Sequence, residues 1–338
     1  MKKIPVEQAV GMELCHDITA MRDGFKGAAF RRGHIIRPED VQEMLNIGKK
    51  TVFVWEAQAG EIHEDDCARR MAAMAPVEGA HYTKPSEGKV LLFADAQGMF
   101  RVDRAMLHKI NSIGDITITT LPDHYPVEPG ARLASMRIVP LVTQERQIEE
   151  AEALCRDTKL LNLLPYQHRN VGVIITGSEV YSGRIQDKFA PVIREKLRKF
   201  PAHITGIAIC DDDLDMIGQV AREMLDKGAD FLIFTGGMSV DPDDLTPTAI
   251  RNLGAEIITH GVPAQPGNMT LVAYLGSIPI LGVPGAAISL PTTVLDVLLP
   301  QIFSGEKLTK EDLIRLEDGG LCQMCKHCHW PNCTFGRY

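Results

Sequence analysis

Four short stretches in the second half of this chain combine glycine with hydroxyl or carboxylate side chains. They are Thr176-Gly177-Ser178-Glu179, Cys210-Asp211-Asp212-Asp213, Thr235-Gly236-Gly237-Met238-Ser239 and Gly282-Val283-Pro284-Gly285. Glycine lets a ligand come against the backbone and opens φ > 0 conformations, while Thr and Ser hydroxyls add hydrogen bonds to phosphate oxygens. The chemistry such stretches suit is anion binding. For any one of them alone, a simple chain turn is the competing reading. Acidic side chains form a second constellation, with Asp211, Asp212, Asp213 and Asp215 in one run and Asp241, Asp243 and Asp244 in another. Carboxylates beside a phosphate repel it unless a cation intervenes, and Mg2+ is the usual one because it keeps its waters and bridges carboxylate to phosphate. Helix capping competes here too: Asp212 or Asp213 can serve as an N-cap, although a cap uses at most one or two of the carboxylates.

Of eight cysteines, four crowd the last stretch of the chain as Cys322-x2-Cys325-x2-Cys328-x4-Cys333. Thiolates this close in a chain with no disulfide framework are expected to be metal ligands. Three readings remain open. Consecutive x2 spacing resembles the cluster-binding run of bacterial ferredoxins and points to an iron–sulfur cluster; Zn2+ is the second reading, though paired zinc knuckles usually stand a dozen or more residues apart; redox-active or idle thiols are the third. His327 and His329 are substitute ligands or exposed bystanders. Cys155 and Cys210 read as core packing.

The elements that must position the glycine-rich stretches follow from apolar periodicity. Val171–Thr176 reads as a short strand, and Phe189, Val192, Ile193, Leu197 and Phe200 recur at helical spacing. Ile204–Ile209 is the next strand. Ile217, Val220, Ala221, Met224 and Leu225 form a helical stripe, and Phe231–Phe234 is a third strand. A short helix over Thr246–Leu253, strands at Glu256–Thr259 and Ile278–Leu281, and a last apolar helix around Thr292–Phe303 complete the series. Such alternation predicts a three-layer α/β domain on a parallel sheet with right-handed crossovers. Its strand carboxyl ends, where open α/β sheets bind ligands, then carry the four stretches on one edge.

The first half reads as smaller β-rich α+β units. A helix begins at Pro38-Glu39-Asp40, a strand covers Thr51–Trp55, and a helix covers Glu64–Met74. Strands follow at Val90–Phe93, Ile116–Thr119 and Met136–Val139, and Gln147–Leu164 reads as a helical connector. The expected division is 1–80, a small α+β unit; 81–165, a β-rich module and connector; 166–305, the α/β domain; and 306–338, the cysteine tail. With 44 acidic against 36 basic side chains and a net charge of −8, the chain lacks the phosphate-neutralising balance of a nucleic-acid binder. No signal peptide or membrane span is evident, so a cytoplasmic protein is the expectation.

The runs Thr176-Gly177-Ser178-Glu179-Val180, Ser182-Gly183-Arg184-Ile185-Gln186-Asp187-Lys188, Thr235-Gly236-Gly237-Met238-Ser239 and Asp244-Leu245-Thr246-Pro247, in this order, resemble the molybdopterin-binding domain. That domain is shared by molybdopterin adenylyltransferases, molybdopterin molybdenumtransferases, gephyrin-like proteins and CinA-like proteins. The resemblance implies a pterin-phosphate cradle in Thr235, Gly236, Gly237 and Ser239, joined by Thr176, Gly177 and Ser178. It likens Asp244 to the family's acidic residue beside that cradle, Asp187 to the aspartate of the adenylyltransferase Ser-Gly-x-x-x-Asp-Lys pattern, Glu179 to the glutamate of the molybdenumtransferase Thr-Gly-Asp-Glu segment, and Asp212 to the acidic position after the second strand. Pro266-Gly267 is similar to Pro-Gly-Lys-Pro, and Gly282, Pro284 and Gly285 to Gly-Leu-Pro-Gly-Asn-Pro.

Two departures stand out within the domain. Asn268-Met269 replaces Lys-Pro, so a phosphate-facing lysine is missing, and Ala286-Ala287 replaces Asn-Pro. The transferases' Asp-x-Ser-x-x-Asp-Gly substrate loop has no counterpart in residues 1–165. What the resemblance implies is molybdenum cofactor biosynthesis by a molybdenumtransferase-like enzyme. It would bind molybdopterin or adenylylated molybdopterin and insert molybdate with Mg2+ held by Asp212 and Asp244, with Glu179 orienting the substrate. A homodimer or a molybdoenzyme-maturation partner is a further family expectation. The alternatives are a non-catalytic molybdopterin carrier or sensor with a metal-binding tail, and a CinA-like nucleotide hydrolase, which the late position of the domain disfavours.

Overall fold

The computed structural model describes residues 2–22, 25–54, 58–239 and 241–337; Trp55, the end of a sequence-expected strand, lies outside them. The chain divides into two units. The first comprises residues 1–95, 102–121 and 129–162, and the second residues 96–101, 122–128 and 163–338.

In the first unit, Lys2–Pro5 pairs antiparallel with Thr51–Val54. Ile18–Arg22 pairs with Phe25–Phe30, and the helix Pro38–Asn46 adds Met44 to a core of Val6, Leu14, Ile18, Ile36 and Val52. The expected strands around Val90, Ile116 and Met136 all enter one antiparallel sheet, in which Lys89–Ala94, Arg132–Ile138 and Ile116–Thr120 lie side by side and Ala80–Tyr82 forms the edge next to Lys89–Ala94. The helix Glu64–Met74 packs on that sheet. It buries the Glu64 carboxyl, whose affinity for its proton rises to about 7 through desolvation, with Asp65 adding to the effect. The connector is helical only over Glu145–Leu154. Its second half, Leu161–Pro165, is a strand, because Asp157-Thr158 interrupts the helical pattern before a β-spaced Leu161-x-Leu163.

The second unit is built on a six-stranded sheet. From Arg169 onward its strands and α-helices are, in chain order, β1 (Arg169–Thr176), α1 (Ser178–Tyr181), α2 (Phe189–Leu197), β2 (Ala202–Cys210), α3 (Leu214–Asp226), β3 (Phe231–Thr235), α4 (Thr246–Asn252), β4 (Glu256–His260), β5 (Leu271–Leu275), β6 (Ile278–Val283), α5 (Ala286–Ser289), α6 (Val294–Phe303) and α7 (Lys310–Ile314). The spatial order is β2-β1-β3-β6-β5-β4. β2, β1, β3 and β6 are mutually parallel, whereas β5 pairs antiparallel with both β6 and β4, so that β5 alone runs against the other five strands. The sheet is thus mostly parallel, as the alternation predicts, with one strand, β5, reversed. The cause is local: Gly276-Ser277 joins β5 to β6 with Leu275 opposite Ile278, a two-residue hairpin turn that only antiparallel neighbours accept, and Gly276 supplies its φ of 61°.

Helices cover both faces. Phe189, Ile193 and Leu197 of α2 pack with Val294, Leu298 and Phe303 of α6 against Val171, Val173 and Ile175. Ile217, Ala221 and Met224 of α3, with Ala249 and Ile250 of α4, cover Ile174, Leu232 and Phe234 on the other face. Each fully buried side chain of this kind contributes about 1.5–3 kcal/mol of transfer free energy, which is why the β1 and β3 runs can be apolar without alternation. Phe335 from the chain's tail is buried in the α2/α6 core, so the tail is part of this unit.

Candidate functional site

β1 sends its chain to β2 on one side, and β2 returns it to β3 on the other, so the strand order reverses at β1. A crevice at the carboxyl ends flanking such a reversal is the usual ligand position in an open α/β sheet. Three of the four candidate stretches leave β1, β2 and β3 at this edge, and the fourth leaves the adjacent β6.

Thr176, at the end of β1, is buried and its hydroxyl stands 3.0 Å from that of Thr246, the first residue of α4. Thr246 in turn donates to the Gly236 carbonyl at 3.0 Å. Gly236 and Gly237 have φ of 86° and 53°. A Cβ on Gly236 would press into the Thr176 carbonyl, and one on Gly237 would lie 2.9 Å from the Thr246 hydroxyl. These glycines are required by the packing of the loop onto β1 and α4, and the same packing leaves the arc narrow and rigid. Met238 anchors it from below, buried against Gly282, which has no room for a side chain. Ser239 is exposed at the end of the arc. The Thr235 hydroxyl, fully buried, has no hydrogen-bond partner. Sequence reasoning missed Thr246 and Met238 as parts of the cradle, although both lie inside quoted runs.

The acidic run after β2 separates into roles. Asp213 is the N-cap of α3, accepting from the Met216 amide at 2.7 Å. Asp211 accepts a short hydrogen bond from the Ser178 hydroxyl. Asp212 reaches from the end of β2 to the end of β1, where its Oδ2 accepts from the Ser178 amide at 2.9 Å. Its Oδ1 is buried and has no partner. An unpaired carboxylate oxygen is costly to bury, and a cation is what such an atom accommodates. Asp244 folds onto its own loop, with the Asp241 amide 3.3 Å from its Oδ2. Among the described residues no three His, Cys, Asp or Glu side chains converge on one ion; Mg2+ at a phosphate usually needs only one or two protein carboxylates.

The remaining expected residues divide between edge and scaffold. Gly177 (φ 144°) caps the four-residue α1 and places Ser178 and Glu179 on the exposed rim. Asp187 uses both oxygens on the first amides of α2, Phe189 at 2.8 Å and Ala190 at 3.0 Å, which is a cap geometry. Pro266 and Gly267 are fastened to α6, the Val294 amide donating to the Pro266 carbonyl at 3.0 Å. Pro284 is half-buried, and Gly285 is exposed with open space around it at the start of α5. The four tail cysteines are free thiols, Cys322 half-buried and Cys325, Cys328 and Cys333 exposed. Cys210 packs in the core, where burial pushes its thiol up to about 11.

Residues 172–304 match the family described as a probable molybdopterin binding domain, and residues 3–56 match a domain of unknown function. Among curated relatives, a molybdopterin molybdenumtransferase of Synechococcus elongatus is 28% identical over 40% of this chain and 36% of its own length. A CinA-like protein of Mycobacterium tuberculosis is 34% identical over 26% of this chain and 20% of its own. The chain thus spans about a third or less of the curated relatives it matches. A molybdopterin biosynthesis enzyme, MoaB, from Thermus thermophilus overlays 41% of this chain and 98% of its own at 22% identity and a TM-score of 0.32. No helix among the described residues is long and apolar enough to cross a membrane.

Proposed function

We propose, from the premise that residues 172–304 are a domain of the molybdopterin-binding family, that this chain works in molybdenum cofactor biosynthesis. It would bind adenylylated molybdopterin at the β1/β3 edge and assist molybdate insertion. The observation that carries the reading is Asp212, which bridges to Ser178 and keeps a buried, unpartnered Oδ1 at the sheet edge where the strand order reverses. That atom fits Mg2+, with Asp244 as the second carboxylate. When bound, Mg2+ neutralises phosphate charge and favours departure of the adenylyl group. The Gly236–Ser239 arc offers backbone to the phosphates without reorganising. Glu179, exposed on the rim, orients the remainder of the substrate. No nucleophilic side chain is needed, because molybdate or water attacks the phosphorus.

The test is AMP release from adenylylated molybdopterin with molybdate and Mg2+. Asp212→Asn, which removes the charge but retains the oxygen that meets Ser178, is expected to lower release at least about tenfold. Equal release by both proteins would sink the insertion reading. Pterin binding without AMP release would favour a carrier or sensor, the second reading, which the lack of an Asp-x-Ser-x-x-Asp-Gly loop in residues 1–165 supports.

A further inference from the structure

Among the described residues the tail after Leu321 contains no helix or strand, yet it is held at Gln265 and at Phe335 to Arg337. At its start, Gln265 donates to the Gly320 carbonyl at 2.7 Å and accepts from the Cys322 amide at 2.8 Å. At its end, Phe335 is buried in the core, and the Arg337 guanidinium donates to the carbonyls of Pro331 at 3.0 Å and His124 at 3.1 Å while lying 4.3 Å from the centre of the Tyr125 ring. Between these anchors the chain arches around a cavity of about 240 Å³ whose lining includes Cys322, Cys325, Cys328, Cys333, Thr292 and Trp330.

Two sulfurs of this arch are hydrogen-bonded. The Thr292 hydroxyl lies 3.0 Å from Cys328 Sγ, and the Met324 amide donates to Cys322 Sγ at 3.4 Å. The Trp330 indole N–H is buried with no acceptor. An orphaned N–H is costly to bury, and Trp330 is one of the residues that line the cavity. Hydrogen bonds of this kind stabilise the negative charge of metal-bound sulfur.

We propose that Cys322, Cys325, Cys328 and Cys333 bind one [4Fe–4S] cluster as thiolates, one to each iron corner. Two ferrous ions, two ferric ions and four sulfides make up its [4Fe–4S]2+ core with no net electron exchanged, and the four thiol protons pass to solvent. A lone Zn2+ fits less well. Zn–S bonds of about 2.3 Å draw four sulfurs onto a single point, whereas here no three of the described ligating side chains share such a point and the thiols stand around a void. A cubane spreads its four cysteine sulfurs over separate corners, which three ligands at x2 spacing in a loop can reach.

The full chain, purified without oxygen and reconstituted with equal amounts of ferrous and ferric iron and with sulfide, is expected to hold about four iron and four acid-labile sulfide per chain. It should also show sulfur-to-iron charge-transfer absorption and an electron paramagnetic signal on reduction. Cys328→Ser should lose most of the iron and sulfide with an unchanged far-ultraviolet circular dichroism spectrum, and Cys155→Ser should lose none. One tightly held zinc in place of iron overturns the assignment. So do four tail thiols that remain freely alkylated after reconstitution, or a Cys328→Ser protein that keeps its full complement.

Discussion

At the ends of β1 and β3, Thr176, Gly236, Gly237 and Thr246 fix one another through close packing and hydrogen bonds. The thiols of the tail lie instead on an arch secured at Gln265 and at Phe335 to Arg337, with few bonds in between. The difference teaches how two kinds of site arise in one unit. A sheet edge is shaped by the core beneath it and is complete before a ligand arrives, while an irregular segment takes its final order from what its side chains bind.

Gly236→Val is the strongest way to break that contrast. It forces a side chain onto the Thr176 carbonyl at a φ of 86°, and a loss of about 3 kcal/mol or more is expected in urea unfolding of the second unit. A loss below about 1 kcal/mol would mean that the arc is not held as described. Glu64→Gln serves as a control in the first unit, where the pH dependence should reside. Burial raises the Glu64 carboxyl from 4.5 to about 7, so the folded chain keeps a proton that the unfolded chain releases in that interval. Stability therefore falls as pH rises from about 4.5 through 7. The glutamine variant should flatten this slope and gain up to about 3 kcal/mol at pH 8, read from thermal melts across pH.

Asp213→Ala should cost about 1 kcal/mol as a lost helix cap and leave Mg2+-dependent pterin binding intact, in contrast to Asp212→Asn. Titration calorimetry of both variants with Mg2+ and pterin separates cap from ligand, and equal losses of binding would dissolve the distinction drawn between the two aspartates. Smallest of all, Cys325→Ser in the metal-free chain should change stability by less than about 0.5 kcal/mol, since that exposed thiol has no structural task until a ligand is present.

Most of the second unit could be read from the sequence because buried strands such as Phe231–Thr235 are short apolar runs and α3 carries a clear stripe at helical spacing. β5 escaped because Leu271–Leu275 follows an irregular loop and its partner β6 begins after only Gly276-Ser277, a hairpin signal that also decides the direction of the sheet edge. In the site, the glycine-rich stretches were recognisable, but their reasons were not. Gly282 looked like a ligand contact, and it is the floor under Met238. Adjacent aspartates are alike in composition; only the path of the backbone makes Asp213 a cap and sends Asp212 to Ser178.

Met238 also bears on timing. Lifting the Thr235–Ser239 arc would draw its side chain out of the core at a cost of about 2 kcal/mol, so roughly a few per cent of molecules or fewer hold the arc open at any instant. The Thr235–Ser239 arc is therefore not expected to act as a gate. Ligand entry should be set by diffusion to an exposed rim, and residence time by the strength of the contacts alone.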